Sequence, residues 1–190
     1  MITADSTTTS RDQGLESRRS LARILAVLLF AALTAGGARL AVPLPGIAVP
    51  FTLQVFGVLL AGICLGPRLG AYSQLAYLAA GMAGLPVFAA GGGAAYLLGP
   101  TGGYLLAFPV AAAIAGAATV RSSRAAAMTA GALLGLAFIH LAGLSWLYVL
   151  GMGMPAASGL MPFLPGDVLK LALVVLVGSR LRGPLRRALR

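Results

Sequence analysis

Apolar and polar positions along this chain fall into long blocks. Residues 1–20 are polar and Ser/Thr-rich, and six apolar runs follow at 21–41, 51–66, 69–90, 102–120, 125–151 and 163–180. A helix needs about 20 apolar residues to cross the hydrocarbon core, within a range of about 17–25, so the second and sixth runs are short unless flanking residues complete them. The pattern predicts an all-α integral membrane protein with six transmembrane helices over residues 21–180. Residues 1–20 carry too little apolar surface to offset the entropy of ordering them and are expected to form a disordered tail. Residues 181–190 are expected to form a second, basic tail.

Composition agrees with the pattern. The chain has 190 residues, 59% hydrophobic and only 9% charged, where ordinary soluble domains carry about 25% charged residues. Cys64 is the single cysteine and lies in an apolar run, so no intrachain disulfide or cysteine metal cluster can form.

The net charge of +10 would suggest nucleic acid if the arginines formed one globular patch, but they sit in the terminal tails and in short connections. They read as topology signals, and no nucleic-acid partner is expected. Of the 14 basic residues, all but Arg39 and Lys170 fall before or at the start of the first run, between the second and third, between the fourth and fifth, or after the sixth. Basic residues are retained on the cytoplasmic side, so both termini are expected to be cytoplasmic and the lipid bilayer is the first partner. "SRRSLAR" before an apolar run is leader-like. The run continues without a clean small-residue cleavage site, and no cleavage is expected.

The opposite side carries the connections 42–50, 87–101 and 152–162, rich in Gly and Pro and free of charge. Residues 87–104 could form a mobile flap over a site that opens outward, or a plain Gly-rich linker. Within the runs, small residues recur four apart at Ala31/Ala35, Gly62/Gly66, Ala76/Ala80 and Gly131/Gly135, a spacing that lets helices approach closely.

The chemistry concentrates in "PGDVLK", residues 165–170, which holds the only lysine and the only acid after Glu16. Asp167 and Lys170 are three apart, on one helix face, and an ionisable group inside a membrane is a functional candidate by default. The competing reading is an N-cap aspartate beside a snorkelling lysine. Against it, Lys170 is already followed by "LALVVLVG". A carboxylate accepts hydrogen bonds and an ammonium donates them, so the pair fits a small solute bearing N–H donors and an acceptor or carboxylate. Phe51, Tyr77, Phe88, Tyr96, Tyr104 and Trp146 are candidate walls, and the whole suits an amphipathic, vitamin-sized solute.

Other polar residues are open to two readings. Gln54 could donate to a ligand or make an interhelical bond, and Gln74 and Ser73 are similarly placed. Arg39 could attract an anion or anchor at the interface. His140 reads as an interhelical hydrogen bond rather than a metal ligand, because no second ligand is placed to complete a site. Enzyme readings fail: there is no phosphate-binding G-x-x-x-x-G-K-[ST] loop and no nucleophile elbow, and Asp167 is the only acid available for buried acid/base work.

Residues 30–93, then "LLGPTGGYLLAF", then "PFLPGDVLK" together resemble the BioY family. Its members are the substrate-binding S components of energy-coupling-factor (ECF) biotin transporters. The likeness covers nearly all of 21–180 and rests on PxTLQ, GxPVF, GPTGGY and PGDxxK in that order. It implies a six-helix protein of a prokaryotic cell membrane that binds biotin near its outer face without a cofactor. It implies that Asp167 and Lys170 contribute to biotin recognition. It also implies that Ala31 and Ala35 form a small-residue surface docking on a transmembrane coupling subunit, which works with ATP-binding-cassette ATPases. The chain contains no asparagine, so any Asn contact of relatives is expected to pass to Gln54, Gln74 or Tyr77. Three function classes stay in view: a vitamin-capture subunit energised from outside, a self-sufficient transporter in which Asp167 carries a proton, and an assembly protein without substrate.

Overall fold

The structure, a computed structural model, describes residues 5–152 and 161–189. Its helices are α1 (Asp5–Arg39), α2 (Gln54–Leu65), α3 (Pro67–Met82), α4 (Gly102–Ala118), α5 (Ala125–Val149) and α6 (Leu164–Ala188). Each expected apolar run thus contains a helix. A short antiparallel pair joins β1 (Ala41–Val42) to β2 (Phe51–Thr52), with Ala41 opposite Thr52 and Val42 opposite Phe51. The expected connection at 152–162 lies largely outside the described residues.

α2 is the axis of the bundle. Every residue from Gly57 to Leu65 is buried, and the helix packs against α1, α3, α4 and α6. A helix apolar on all sides belongs in an interior, and surrounded in this way its 12 residues need not meet the length set by lipid. It ends at Gly66, whose φ of +89° is open to glycine without a Cβ clash. Pro67 then opens α3, where its missing N–H costs nothing.

Small residues set the helix spacing. A Cβ on Gly70 would lie 2.8 Å from the Gly62 Cα, and one on Gly131 would lie 2.7 Å from the Ala115 carbonyl oxygen. One on Gly135 would meet Leu59 Cδ2 at 2.8 Å and the Ala111 carbonyl oxygen at 2.9 Å. The four-residue spacings of glycine therefore mark backbone-to-backbone contacts of α2, α3, α4 and α5.

Three boundaries differ from expectation. The helix α1 begins at Asp5 and so runs through most of the segment expected as a tail, because adding a residue to an existing helix needs no new nucleus. The sixth helix is not short: α6 has 25 residues and carries the basic segment as helix. The side chains of that segment are used, not merely solvated. Arg186 Nη2 donates to the Ile63 carbonyl at 3.2 Å and to Thr119 Oγ1 at 3.3 Å, and its Nε donates to the Cys64 carbonyl at 3.3 Å. Arg182, buried, donates to the Thr119 carbonyl. These carbonyls lie at the C-terminal ends of α2 and α4, where the peptide dipoles favour a cation. Finally, the connection between α3 and α4 is a built cover. Gly93 N–H donates to the Gly81 carbonyl at 2.7 Å, Phe88 is fully buried against α3, and Tyr96 stacks on it at 5.0 Å from a 3₁₀ turn over Ala94–Leu98.

The exterior is apolar, with Ile24, Leu25, Leu28 and Leu29 on α1, Leu134 and Leu141 on α5 and Val168 and Leu169 on α6 more than half exposed. So large an apolar surface is what a bilayer covers and water does not. Glu16–Arg39 and Ala125–Val149 are long and apolar enough to cross a membrane unaided.

Candidate functional site

α6 starts at Leu164 with Pro165 in its first turn, which places Asp167 one residue after Gly166 inside the helix. No side chain caps this N-terminus. The Asp167 carboxylate turns instead across the bundle: Oδ1 accepts from Lys170 Nζ at 3.0 Å, and Oδ2 hydrogen-bonds His140 Nε2 of α5 at 2.7 Å. Asp167 and Lys170 are 2% and 3% exposed. Neither the capping carboxylate nor the snorkelling lysine describes this pair, because both groups are withdrawn from solvent and spent on each other. Lys170 Nζ also stands 3.6 Å from the Phe51 ring centroid, a cation–π contact that holds the ammonium without a second anion.

This cluster borders a cavity of about 50 Å³. Gln54, Tyr104, Asp167 and Lys170 line it, together with Thr52, Tyr96, His140 and Phe163. The remaining walls are mostly apolar, among them Val49, Val55, Leu105, Phe108 and Ile139. A neighbouring cavity of about 340 Å³ shares Val49, Tyr104 and Phe163 as walls. Ligand pockets commonly enclose about 300–1,000 Å³, a range that the neighbouring cavity reaches and the space beside the polar cluster does not.

The expected site residues separate into three groups. Gln54 lines the cavity with both ends engaged, Oε1 accepting from Thr52 Oγ1 at 2.9 Å and Nε2 donating to Tyr77 Oη at 2.5 Å. Tyr104 lines it too, its ring edge-on to His140 at 6.3 Å between centroids. Tyr77 and Phe88 stand behind the walls: Tyr77 is 1% exposed and donates to the Val87 carbonyl at 3.3 Å, and Phe88 backs Tyr96. Gln74 is elsewhere, buried between α3 and α1, where Oε1 accepts from Thr34 Oγ1 at 3.2 Å and Nε2 donates to Ser73 Oγ at 2.9 Å. Of the other candidate walls, Phe51 lies under Lys170, and Trp146 donates its indole N–H to the Gly99 carbonyl at 2.9 Å.

Ala31 and Ala35 do not form an outward surface. Ala31 is buried in the main core cluster and Ala35 is half-buried against it. The free face of α1 passes one position on, through Leu25, Leu28, Leu29, Ala32 and Gly36, which are all exposed. A Cβ on Gly36 would meet nothing within 4 Å.

His140, Thr52 and Phe163 are cavity residues that sequence reasoning left out. His140 does make the interhelical hydrogen bond expected of it. Its bond to Asp167, the one acid in the apolar part of the chain, is the signal that could have placed it in the site. Arg39 is exposed and donates to the Pro86 carbonyl at the opposite end of the bundle from Arg186.

A helical bundle with an apolar exterior and a buried ion pair at the wall of a largely apolar cavity has the form of a small-solute-binding membrane protein. The chain belongs to the BioY family, whose model matches residues 8–187. It is 45% identical over 159 residues to a probable biotin transporter BioY of Pyrococcus horikoshii, covering 83% of this chain and 94% of that one. It is 38% identical over 157 residues to the biotin transporter BioY of Thermotoga maritima, covering 81% and 92%. The crystal structure of the S-component for biotin from an ECF-type ABC transporter superposes with a TM-score of 0.77 at 31% identity, over 86% of this chain and 92% of that one.

Proposed function

We propose that this protein is the biotin-binding S component of an ECF-type transporter and takes up biotin through the cell membrane. The observation that carries the reading is the buried Asp167–Lys170 pair at the wall of an apolar cavity. Biotin carries two ureido N–H donors, a ureido oxygen, an apolar thioether ring and a carboxylate, and the cavity offers an acceptor, a cation and aromatic walls. The relatives are named as transporters, not as enzymes. Asp167 accepts from the ureido N–H groups. Lys170 neutralises the carboxylate or donates to the ureido oxygen.

The chain spans the membrane six times with both termini cytoplasmic. In support, Arg23 and Arg186 join the two terminal helices and the ends of α2 and α4 at one end of the bundle, and Arg23 Nε donates to the Leu189 carbonyl at 3.1 Å. Energy comes from a transmembrane coupling subunit and ATPases, a reading supported by the likeness to an S-component from an ECF-type ABC transporter. The coupling subunit docks on the exposed face of α1 at Ala32 and Gly36, where small residues permit close helix approach.

Radiolabelled biotin should bind the purified protein, and uptake in cells should depend on co-expressed ATPase subunits. Absence of binding would leave the assembly-protein reading. Uptake by the protein alone would instead favour a secondary transporter with Asp167 as the proton carrier.

A further inference from the structure

The polar cluster leaves one atom without a partner. His140 Nδ1 is buried and unbonded among the described residues, on a ring that borders the cavity. Buried polar atoms are nearly always paired, so such an atom needs an explanation. We propose that His140 is a ligand-binding residue of this cavity, its Nδ1 accepting a hydrogen bond from a ligand N–H while Nε2–H remains on Asp167. The inference rests on the biotin reading and adds a contact to it.

The tautomer follows from the partners. An ionised carboxylate only accepts, and Asp167 Oδ1 already takes Lys170, so the 2.7 Å bond to Oδ2 requires the hydrogen on Nε2. Asp167 and Lys170 are the only acidic or basic side chains lining the cavity besides His140, and their charges cancel. With its one hydrogen on Nε2, the ring presents Nδ1 as an acceptor. The neighbours support this. Tyr104 meets the ring edge-on from α4, Phe163 packs at 5.9 Å between centroids, and Tyr96 is the one titratable group that the cover adds to the cavity. No donor among them reaches Nδ1.

A cyclic urea presents two N–H groups, and the cavity would then supply one acceptor for each: Asp167, whose oxygens have lone pairs to spare, and His140 Nδ1. Reading both donors penalises any analogue that lacks one, because the site's acceptor is then left buried and unpaired.

The test uses purified full-length protein in detergent and measures biotin affinity at neutral pH, with a melting temperature for each variant. In His140→Gln the side-chain amide takes the place of Nε2 and still donates to Asp167, but nothing stands at Nδ1. In His140→Asn the amide oxygen takes the place of Nδ1 and the bond to Asp167 is lost. His140→Gln should melt like wild type yet bind biotin about tenfold more weakly at neutral pH. His140→Asn should bind more tightly than His140→Gln. Wild-type affinity in folded His140→Gln would reduce His140 to a brace for Asp167 and overturn the inference. So would a His140→Asn protein that binds no more tightly than His140→Gln, a comparison that decides the matter if His140→Gln melts early. Failure of the wild type to bind biotin would be a different outcome, overturning the functional reading itself.

Discussion

A Cβ on Gly62 would lie 2.1 Å from the carbonyl oxygen of Ala112. Backbone of α2 and backbone of α4 therefore touch, with no flexible side chain between them to yield. Gly62→Ala should force the two helices apart and destabilise the fold by about 1–3 kcal/mol, as overpacking does. Thermal unfolding in detergent reads this directly, with Gly36→Ala as the matched control at an open position. Equal melting temperatures for both variants would show that the α2–α4 contact is looser than described.

The buried pair on α6 gives a second expectation. A hydrogen bond to a charged group contributes about 1.5–3 kcal/mol, so Asp167→Asn or Lys170→Ala should weaken biotin binding at least about tenfold. Part of that loss comes from leaving the surviving charge unpaired. The double variant Asp167→Ala, Lys170→Ala should stay folded and fail to bind. Near-wild-type affinity in that protein would mean the pair serves α6 and not the ligand.

Docking can be mapped by a one-residue shift along α1. Gly36→Leu or Ala32→Leu adds bulk on the exposed face, and co-purification of the coupling subunit should be lost while biotin affinity is kept. Ala31→Leu adds bulk within the main core cluster and should lower the melting temperature. Retained co-purification with Gly36→Leu would move the docking surface off this face.

The end of α6 is expected to act as a clamp on the bundle. Arg186 donates to acceptors on α2 and after α4. Arg186→Ala should cost about 1–3 kcal/mol and speed tryptic removal of the C-terminal turns. Arg186→Lys should recover little, since an ammonium cannot reproduce the planar fork. Full rescue by lysine would reduce the interaction to charge alone.

Topology is open to a reporter experiment. A fusion after Arg190 should be active only with a reporter that works in the cytoplasm, and one in the 42–50 connection only with a reporter that works outside. A signal from the outer side at Arg190 would remove the six-span arrangement.

The primary sequence by itself determined the helices, the end of the bundle that gathers arginine, and the acid–lysine pair of α6. Each of these is written in local pattern: a run of apolar residues, a basic connection, two ionisable groups three apart on one turn. Helix faces are another matter. Ala31/Ala35 and Ala32/Gly36 are equally small and equally spaced, and they differ by one step of about 100° around α1. Only the packing of α1 on α2 and α3 decided which pair turns outward. Gln54 and Gln74 are likewise indistinguishable as single polar residues in apolar helices, and it was Thr34 and Ser73 that drew Gln74 away from the cavity. His140 stands 27 residues before Asp167, on a different helix, so no spacing rule could join them. The basic end of the chain reads as a solvated tail until the carbonyls of Ile63, Cys64 and Thr119 are placed beside it. Hydrophobicity assigns segments to a helix and to a membrane because it sums over many residues. The partner of one hydrogen bond depends on the position of two atoms, and that is settled only when the helices meet.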